Sequence, residues 1–235
     1  MKYDIIIIGS GPVGLSLAKA LSSLDLSICI VDQQTEAILS SPPDDGREVA
    51  ITHLSKKILS ELGSWKLIDD ESISLIKEAK VLNGLSPYSL HFSHQETDQA
   101  TLGHLIPNRL IKAAAYKAIQ NLKNIHCMTE TKVKEFSIND TGTLVTLDSG
   151  ETIDSDMIVA ADGRLSGSRR QMGIPAEVKD FGKTVIVCKM KHDKPHNNTA
   201  YECFHYGRTL AVLPMAGDYC SVVITISSDK ATEIM

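Results

Sequence analysis

The sequence predicts an α/β fold, in which a parallel sheet with flanking helices is joined to a part that is rich in strands. Residues 3–8 (YDIIII) form a continuous apolar run bounded by glycine, which is typical of a strand buried on both faces of a parallel sheet. Apolar residues recur at helical spacing from Pro12 to Leu24, and Leu26 to Val31 (LSICIV) predicts a second strand. Together the three segments predict a βαβ unit, the building block of such a sheet.

The middle of the chain is expected to mix a loop, two helices and short strands. Residues 36–46 contain SSPPDDG, so we expect a loop on the ligand-binding side. Helical spacing predicts a helix over Val49 to Leu62 with Gly63 as its C-terminal cap. Residues 71–101 are expected to contain strands, and Asn108 is expected to cap a helix that runs to about Leu122.

Strands are expected to dominate the last third of the chain. A hairpin is predicted over residues 143–153, with the turn Asp148-Ser149-Gly150, and another buried strand over Met157 to Ala161. Further strands are predicted over Thr184 to Met190 and Leu210 to Ile226, on either side of a polar connection that contains proline.

The composition excludes several classes of protein. Hydrophobic residues make up 43% of the 235 residues, and 29 acidic against 24 basic residues give a net charge of −5, so nucleic acid is not expected as a partner. The five cysteines are scattered without a C-x-x-C pair, which fits a reducing compartment. The eight histidines form no compact ligand set, so no metal site is expected. Neither a signal peptide nor a membrane-spanning run is recognisable, which predicts a soluble or peripheral protein.

A glycine motif stands where the first strand meets the first helix. Gly9, Gly11 and Gly14 form G-x-G-x-x-G, with Pro12 at the first helical position. In this context the first glycine permits a tight turn, the second lets the backbone approach a diphosphate, and the third lets helix and strand pack closely. The motif therefore predicts nucleotide binding, although a tight turn without a ligand would show the same glycines.

Asp32 ends the second strand, at the distance from the glycine motif where a carboxylate can accept hydrogen bonds from a ribose. Its negative charge would repel a 2′-phosphate, which favours FAD or NAD over NADP in this site. An aspartate after a strand is otherwise a common turn former. The residues considered so far leave FAD and NAD as equal alternatives.

Three further motifs resemble those of class A flavoprotein monooxygenases, and their amino-acid sequences are most similar to those of the ring hydroxylases of ubiquinone biosynthesis. They are Arg47 in DDGREVAITHLSKKILSELGSW, Arg109 in IPNRLIKAAAYKAI, and Asp162-Gly163 in MIVAADGRLSGSRRQMGI. The similarity covers most of the chain and includes LAVLPM at residues 210–215. It implies that Arg47 and Arg109 contact FAD and that the Asp-Gly motif binds FAD and faces the nicotinamide donor. For Arg47 and Arg109 the alternative is an ordinary surface charge.

The resemblance also implies a fold, a reaction and a location. The fold would be a Rossmann-like FAD-binding domain with a parallel sheet and an attached β-meander (residues 1–70 and 102–178), plus part of a β-rich substrate domain (residues 71–101 and 179–235). The reaction would be hydroxylation of a polyprenyl phenol with O2 and with NADH or NADPH as electron donor. The protein would be cytoplasmic and peripheral to the inner membrane, or part of a multi-enzyme complex, although the sequence itself marks no membrane-binding patch.

Two departures from the family pattern affect these expectations. Asp32 replaces the more usual glutamate, and the family's later Gly-Asp motif has no counterpart before Met235. We therefore expect a truncated product or a gene fragment, whose own activity has to be tested. The alternatives are another FAD oxidoreductase of similar fold, such as a prenyl reductase or an epoxidase, a non-catalytic flavin-binding or assembly protein, and a plain NAD dehydrogenase. No catalytic residue is predicted.

Overall fold

A computed structural model describes residues 2–140, 142–205 and 207–234, and within these ranges it contains fifteen strands and six α-helices. In chain order the strands are β1 (Lys2–Ile8), β2 (Ile28–Val31), β3 (Glu48–Ile51), β4 (Ser74–Ile76), β5 (Glu78–Asn83), β6 (Ser89–Ser93), β7 (Gly103–Pro107), β8 (Ile125–Met128), β9 (Val133–Asn139), β10 (Gly142–Leu147), β11 (Thr152–Ala160), β12 (Lys183–Lys191), β13 (Thr199–His205), β14 (Arg208–Pro214) and β15 (Tyr219–Ser227). The helices are α1 (Pro12–Leu21), α2 (Glu36–Ser40), α3 (His53–Glu61), α4 (Asn108–Ile119), α5 (Gly167–Gln171) and α6 (Ser228–Ile234). None of the described helices is both long enough and apolar enough to cross a membrane.

The chain forms two compact units. The first consists of Met1–Pro43, Leu59–Leu67 and Arg109–Glu177, and the second of Asp44–Ile58, Ile68–Asn108 and Val178–Met235. The expected division into a FAD-binding and a substrate domain stays a prediction, because compactness alone does not assign a function to either unit.

The first unit contains the parallel sheet that the sequence predicts. Its six strands lie in the order β8-β2-β1-β11-β10-β9, and β1 pairs in parallel with both β2 and β11. Strands β9, β10 and β11 pair antiparallel and form the expected β-meander. Both neighbours of β1 come later in the chain, so the carboxyl end of β1 is the point from which connections leave in two directions. Such a switch point is where open α/β sheets bind their ligands.

The central strand β1 is buried on both faces, and its alternate residues enter two cores. Ile5 and Ile7 pack with Leu15 of α1 and with the buried face of α4, whereas Ile6 and Ile8 pack with apolar residues of the meander. This explains why the run YDIIII is apolar throughout and does not alternate. The α/β fold class is confirmed.

The second unit is built on two antiparallel-rich sheets. The larger has the strand order β12-β15-β14-β13-β5-β6, and the smaller consists of β3, β7 and β4. Among the described strands of the larger sheet, β5 and β13 are the pair that runs in parallel. The strands expected within residues 71–101 are therefore β4, β5 and β6, which the irregular apolar pattern did not place.

Two helix predictions and one loop prediction need correction. Helix α1 ends at Leu21, because Ser22 N donates back to Lys19 O, and Leu24 is left exposed. The helix expected from Val49 begins only at His53, because residues 48–51 pair with β7 as strand β3. The stretch expected to be a loop contains α2, which Thr35 caps by accepting from Ile38 N.

Three further predictions differ from the structure in detail. They are the end of the helix expected at Leu62 and two strand predictions. Gly63 has φ +76°, as expected for a left-handed cap, although α3 already ends at Glu61. The hairpin arm and the buried strand that were expected separately are one strand, β11. Its residues 152–155 pair with β10, and its residues 154–160 pair with β1. Strand β13 lies in the stretch that the sequence left unassigned, and a turn divides Leu210 to Ile226 into β14 and β15.

Candidate nucleotide-binding site

Two of the three motif glycines are required by contacts within the protein. Gly9 has φ +105°, and a Cβ added there would lie 2.6 Å from Ala161 O, at the end of the neighbouring strand. A Cβ on Gly14 would lie 2.1 Å from Gly9 O, so α1 can start at this angle only if that residue has no side chain. These contacts agree with the roles that the motif assigns to the first and third glycines.

The second motif glycine is required by no such contact. Gly11 has φ −69°, an ordinary value for any residue, and a Cβ on it would meet nothing within 4 Å. It precedes Pro12 at the start of α1, where the first N–H groups have no acceptor within the helix and the helix dipole is positive. The open space beside Gly11 therefore lies where a helix end favours an anion.

Asp32 links the end of β2 to the glycine turn. Its Oδ2 accepts from Ser10 N at 2.7 Å and its Oδ1 from Gln34 N at 2.8 Å. An ionised carboxylate accepts about four hydrogen bonds, so two backbone donors leave acceptor capacity for the hydroxyls of a ribose. The buried Ser10 Oγ has no hydrogen-bond partner among the described residues, which is a second polar group in this turn that a ligand can satisfy.

A cleft of about 340 Å³ brings three predicted positions together at the carboxyl end of the parallel sheet. Gly9, Asp32 and Asp162 line it, together with residues that the sequence analysis missed: Ile8, Val31, Gln33, Gln34, Thr131, Lys132 and Val133. A usable signal existed for Thr131 and Lys132. They follow β8, the parallel neighbour of β2, and carboxyl ends of parallel strands meet at one edge of a sheet.

Asp162 and Gly163 form a turn after β11. Asp162 Oδ1 accepts from Ser166 Oγ at 2.5 Å and Oδ2 accepts from Ser168 N at 3.0 Å, at the start of α5. Burial acts to raise the pKa of the Asp162 carboxyl, but the hydrogen bonds from Ser166 and Ser168 outweigh it and lower that pKa. Gly163 has φ +87°, where a residue with a side chain would be strained. The carboxylate thus fixes the shape of the loop beside the cleft.

Arg109 lies in the first turn of α4 and is half-buried. It does not line this cleft, and its side chain has no hydrogen-bond or ion-pair partner within the part of the chain that the structure describes. One turn further on, Lys112 lines a small recess together with Ser10 and Gly11. Sequence reasoning missed Lys112, although its position three residues after Arg109 puts both on neighbouring parts of one helix face.

Arg47 belongs to the second unit, where Asp45 holds it. Arg47 Nη2 lies 2.6 Å and Nε 3.1 Å from Asp45 Oδ2, which also accepts from Asn108 Nδ2 at 2.9 Å. The hydrogen bonds from Arg47 place the pKa of the Asp45 carboxyl far below its usual value and raise the pKa of the guanidinium. Helix α4 begins at Asn108 itself, so Asn108 is its first helical residue and not the N-cap that the sequence predicted.

Arg47 and Asn108 line a second cleft, of about 280 Å³, within the second unit. Its other lining residues are Glu48, Val49, Val187, Leu213, Ser221 and Val223. Val187, Leu213, Ser221 and Val223 stand on one face of the six-stranded sheet, as the register of β12, β15 and β14 requires. The cleft therefore combines an apolar sheet face with a paired arginine and an amide.

The first unit's residues fit an adenine dinucleotide. The helix end at Gly11 offers space and positive charge for a diphosphate, and Asp32 offers spare acceptors for a ribose on the side of the cleft. No feature described above requires a metal ion.

Comparison with known proteins agrees with this geometry. The FAD binding domain family matches residues 2–233. The chain is 40% identical to ubiquinone hydroxylase UbiM of Neisseria meningitidis and 31% identical to ubiquinone hydroxylase UbiL of Rhodospirillum rubrum, over 100% and 96% of its length. The ubiquinone biosynthesis monooxygenase COQ6 of Drosophila melanogaster is 23% identical over 97% of the chain. The chain spans 52%, 52% and 50% of these three relatives, about half of each.

Solved structures show the same fold at low sequence identity. PqsL of Pseudomonas aeruginosa, solved in complex with 2-aminobenzoylacetate, matches the whole chain and 64% of its own length with a TM-score of 0.83 at 17% identity. A variant of HpxO from Klebsiella pneumoniae, solved in complex with FAD, matches 97% of the chain and 57% of its own length with a TM-score of 0.74 at 16% identity.

These matches decide between the two cofactors that the glycine motif and Asp32 left open. FAD, and not NAD, is the cofactor in the description of the family that matches nearly the whole chain. The resemblance to the ubiquinone-biosynthesis hydroxylases is confirmed by the relatives named above. The chain belongs to the FAD binding domain family.

Proposed function

We propose that this chain is the FAD-binding part of a monooxygenase that hydroxylates the ring of a polyprenyl phenol in ubiquinone biosynthesis. The observation that carries the proposal is the β1–α1 turn, where Gly11 leaves open space at a helix end and Asp32 offers acceptors beside it. The names of the relatives supply the reaction and the substrate class.

Each predicted site residue of the first unit has a role in this proposal, whereas contact of Arg47 with FAD stays a prediction. Gly9, Pro12 and Gly14 shape the turn, while Gly11 and the start of α1 receive the diphosphate of FAD. Asp32 accepts from the ribose, and Asp162 and Gly163 hold the loop at the other wall of the cleft. The charges of Arg109 and Lys112 attract the phosphates to this unit.

FAD, when bound, supplies the redox chemistry that activates O2 for insertion into an aromatic ring. In the second unit, the cleft at Arg47 suits a phenol ring. Val187, Leu213 and Val223 offer an apolar surface, and Ser221 and Asn108 offer polar atoms for a ring hydroxyl. The role of this cleft is to orient the ring and to keep water away from it.

A polyprenyl phenol dissolves in a bilayer, so we infer peripheral contact with the inner membrane on its cytoplasmic side, alone or within a multi-enzyme complex. NADH or NADPH would donate the electrons, since nothing in the described residues selects between them.

The test of cofactor binding is titration of the purified chain with FAD, followed by flavin fluorescence. Asp32→Asn should weaken binding about tenfold, because the variant keeps the shape of the side chain and loses its charge. Asp25→Asn is the matched control, since this acid lies outside the cleft, and it should bind FAD as the unaltered chain does.

The test of the reaction is oxidation of NADH or NADPH under O2 by the protein that carries this chain. The proposal predicts oxidation that depends on an added prenylated phenol, with a ring hydroxyl detected by mass spectrometry. Tight FAD binding with reduction of a prenyl double bond, with epoxidation, or without any turnover would overturn the hydroxylase assignment.

A further inference from the structure

Ser221 is a buried polar residue in the wall of the cleft at Arg47. It lies on β15 and is only 2% exposed. Within the ranges that the structure describes, its hydroxyl has no hydrogen-bond partner, and the side chain lines the cleft. A buried hydroxyl without a partner lowers the stability of the folded state, so such groups are rare unless a ligand or a water satisfies them. Ser221 therefore offers an unused hydroxyl to whatever enters the cleft.

The surroundings of Ser221 on the sheet give no structural reason for a serine. The register places it opposite Leu213 of β14, and Val223 follows two residues later on the same face. A valine at position 221 would continue this apolar wall and bury more apolar surface. By contrast, Ser227 at the end of the same strand donates from its hydroxyl to Asp229. The hydroxyl of Ser227 thus stabilises the fold, whereas that of Ser221 does not.

The other polar side chains of the cleft are already engaged within the protein. Asp45 Oδ2 accepts from Arg47 Nη2 at 2.6 Å and from Asn108 Nδ2 at 2.9 Å. Glu48 also has an interaction of its own within the protein. A serine hydroxyl can both donate and accept, so Ser221 can bind a ring hydroxyl without breaking any of these contacts.

We propose that Ser221 is the specificity-determining residue of this cleft, because a hydrogen bond between its hydroxyl and a ring hydroxyl of the substrate fixes the orientation of the ring. The contacts of Val187, Leu213 and Val223 are apolar and non-directional, so by themselves they let the ring turn. One hydrogen bond fixes the position of the ring oxygen and thereby selects the carbon that is hydroxylated. A ring that lacks this hydroxyl is bound less well.

This inference rests on the proposed function and adds to it the side chain that decides the ring position. It concerns a contact in the second unit, which can be measured without FAD. Binding of a phenol and hydroxylation of a phenol are therefore tested separately, so each can fail without the other.

The first experiment titrates the purified chain with a prenylated phenol and with the prenylbenzene that lacks only the hydroxyl, following the heat of binding. Ser221→Ala should weaken binding of the phenol about tenfold and leave binding of the prenylbenzene unchanged, because only the phenol loses a hydrogen bond. Ser227→Ala is the matched control and should bind both compounds as the unaltered chain does. Absence of phenol binding, an unchanged phenol affinity in Ser221→Ala, or an equal loss for both compounds would overturn the proposal.

The second experiment compares the thermal stability of the same two variants without ligand. Ser221→Ala should keep the Tm of the unaltered chain or raise it, because the substitution removes an unpaired buried hydroxyl. Ser227→Ala should lower the Tm, because it loses the hydrogen bond to Asp229. A larger loss of Tm in Ser221→Ala than in Ser227→Ala would show that the hydroxyl of Ser221 stabilises the fold, which refutes the proposal.

The third experiment identifies the product isomers that the protein carrying this chain forms from a prenylated phenol under O2. The unaltered protein and Ser227→Ala should form one ring isomer, whereas Ser221→Ala should form a mixture. A single, unchanged isomer from Ser221→Ala would refute the role of Ser221 and leave the hydroxylase assignment standing. Phenol binding that depends on Ser221, without hydroxylation by the unaltered protein, would contradict the proposed function and support Ser221 as the residue that binds the ring hydroxyl.

Discussion

At the residue scale, the glycines of one motif have different structural roles. Protein stability and ligand binding can therefore be tested separately. Gly14→Ala should destabilise the protein by roughly 1–3 kcal/mol or more, because its Cβ would lie 2.1 Å from Gly9 O. Gly11→Ala should leave the stability unchanged and weaken FAD binding about tenfold, because its Cβ enters only the open space beside the helix end. Thermal unfolding and FAD titration of both variants measure the two effects. A Gly11→Ala variant with unchanged FAD affinity would contradict the site.

The ion pair of Asp45 and Arg47 predicts a pH dependence of stability. The hydrogen bonds from Arg47 hold the pKa of the Asp45 carboxyl below its ordinary 3.8. Since the folded state has the lower pKa, the pair contributes stability at neutral pH, and this contribution is lost as the pH falls below about 4. Asp45→Asn should therefore lower the Tm at pH 6 and flatten its decline in acid. The exposed Asp44→Asn serves as the control, and a decline that is equally steep in Asp45→Asn would contradict the prediction.

In the second unit, contacts between strand β7 and helix α3 make a further pH-dependent contribution to protein stability. His104 on β7 is buried, and its Nε2 lies 3.2 Å from Lys56 Nζ on α3. Burial lowers the pKa of the His104 imidazole, and the positive Lys56 and the neighbouring His53 add to the shift. The unfolded chain therefore takes up this proton more readily, and stability should fall as the pH drops below about 6.5.

The measurement for this prediction is the Tm of the unaltered chain and of His104→Gln between about pH 8 and pH 5. The variant should show a smaller loss of stability on acidification, because it has no imidazole to protonate. His205→Gln, an exposed position in the same unit, should decline like the unaltered chain. An identical decline in all three proteins would exclude His104 as the source.

The strands and helices also show how much of the fold could be predicted from the sequence alone. The apolar run of β1 and the glycine motif predicted the parallel sheet and its ligand edge, because both depend on local sequence. The helix expected from Val49 failed at its start, because residues 48–51 gain a ladder with β7, more than fifty residues later in the chain. Pairing with a strand so distant in the sequence does not affect the local spacing of apolar residues, so this spacing does not predict it. The same holds for Thr131 and Lys132, which reach the cleft only through the pairing of β8 with β2.

The whole molecule combines the predicted nucleotide site with a second unit whose cleft the sequence did not reveal. The cleft at Arg47 depends on side chains from three strands that meet only in the folded sheet. Site residues that follow a motif were therefore predictable, whereas surfaces assembled from distant strands were not.

The proposed function depends on binding of FAD by the β1–α1 turn and Asp32. It is tested most directly by titrating the folded chain with FAD and with NAD and following flavin fluorescence and the heat of binding. We expect saturable binding of one FAD per chain, weakened by Gly11→Ala and by Asp32→Asn. A chain that is folded by circular dichroism and shows no affinity for FAD in excess, or that prefers NAD, would contradict it.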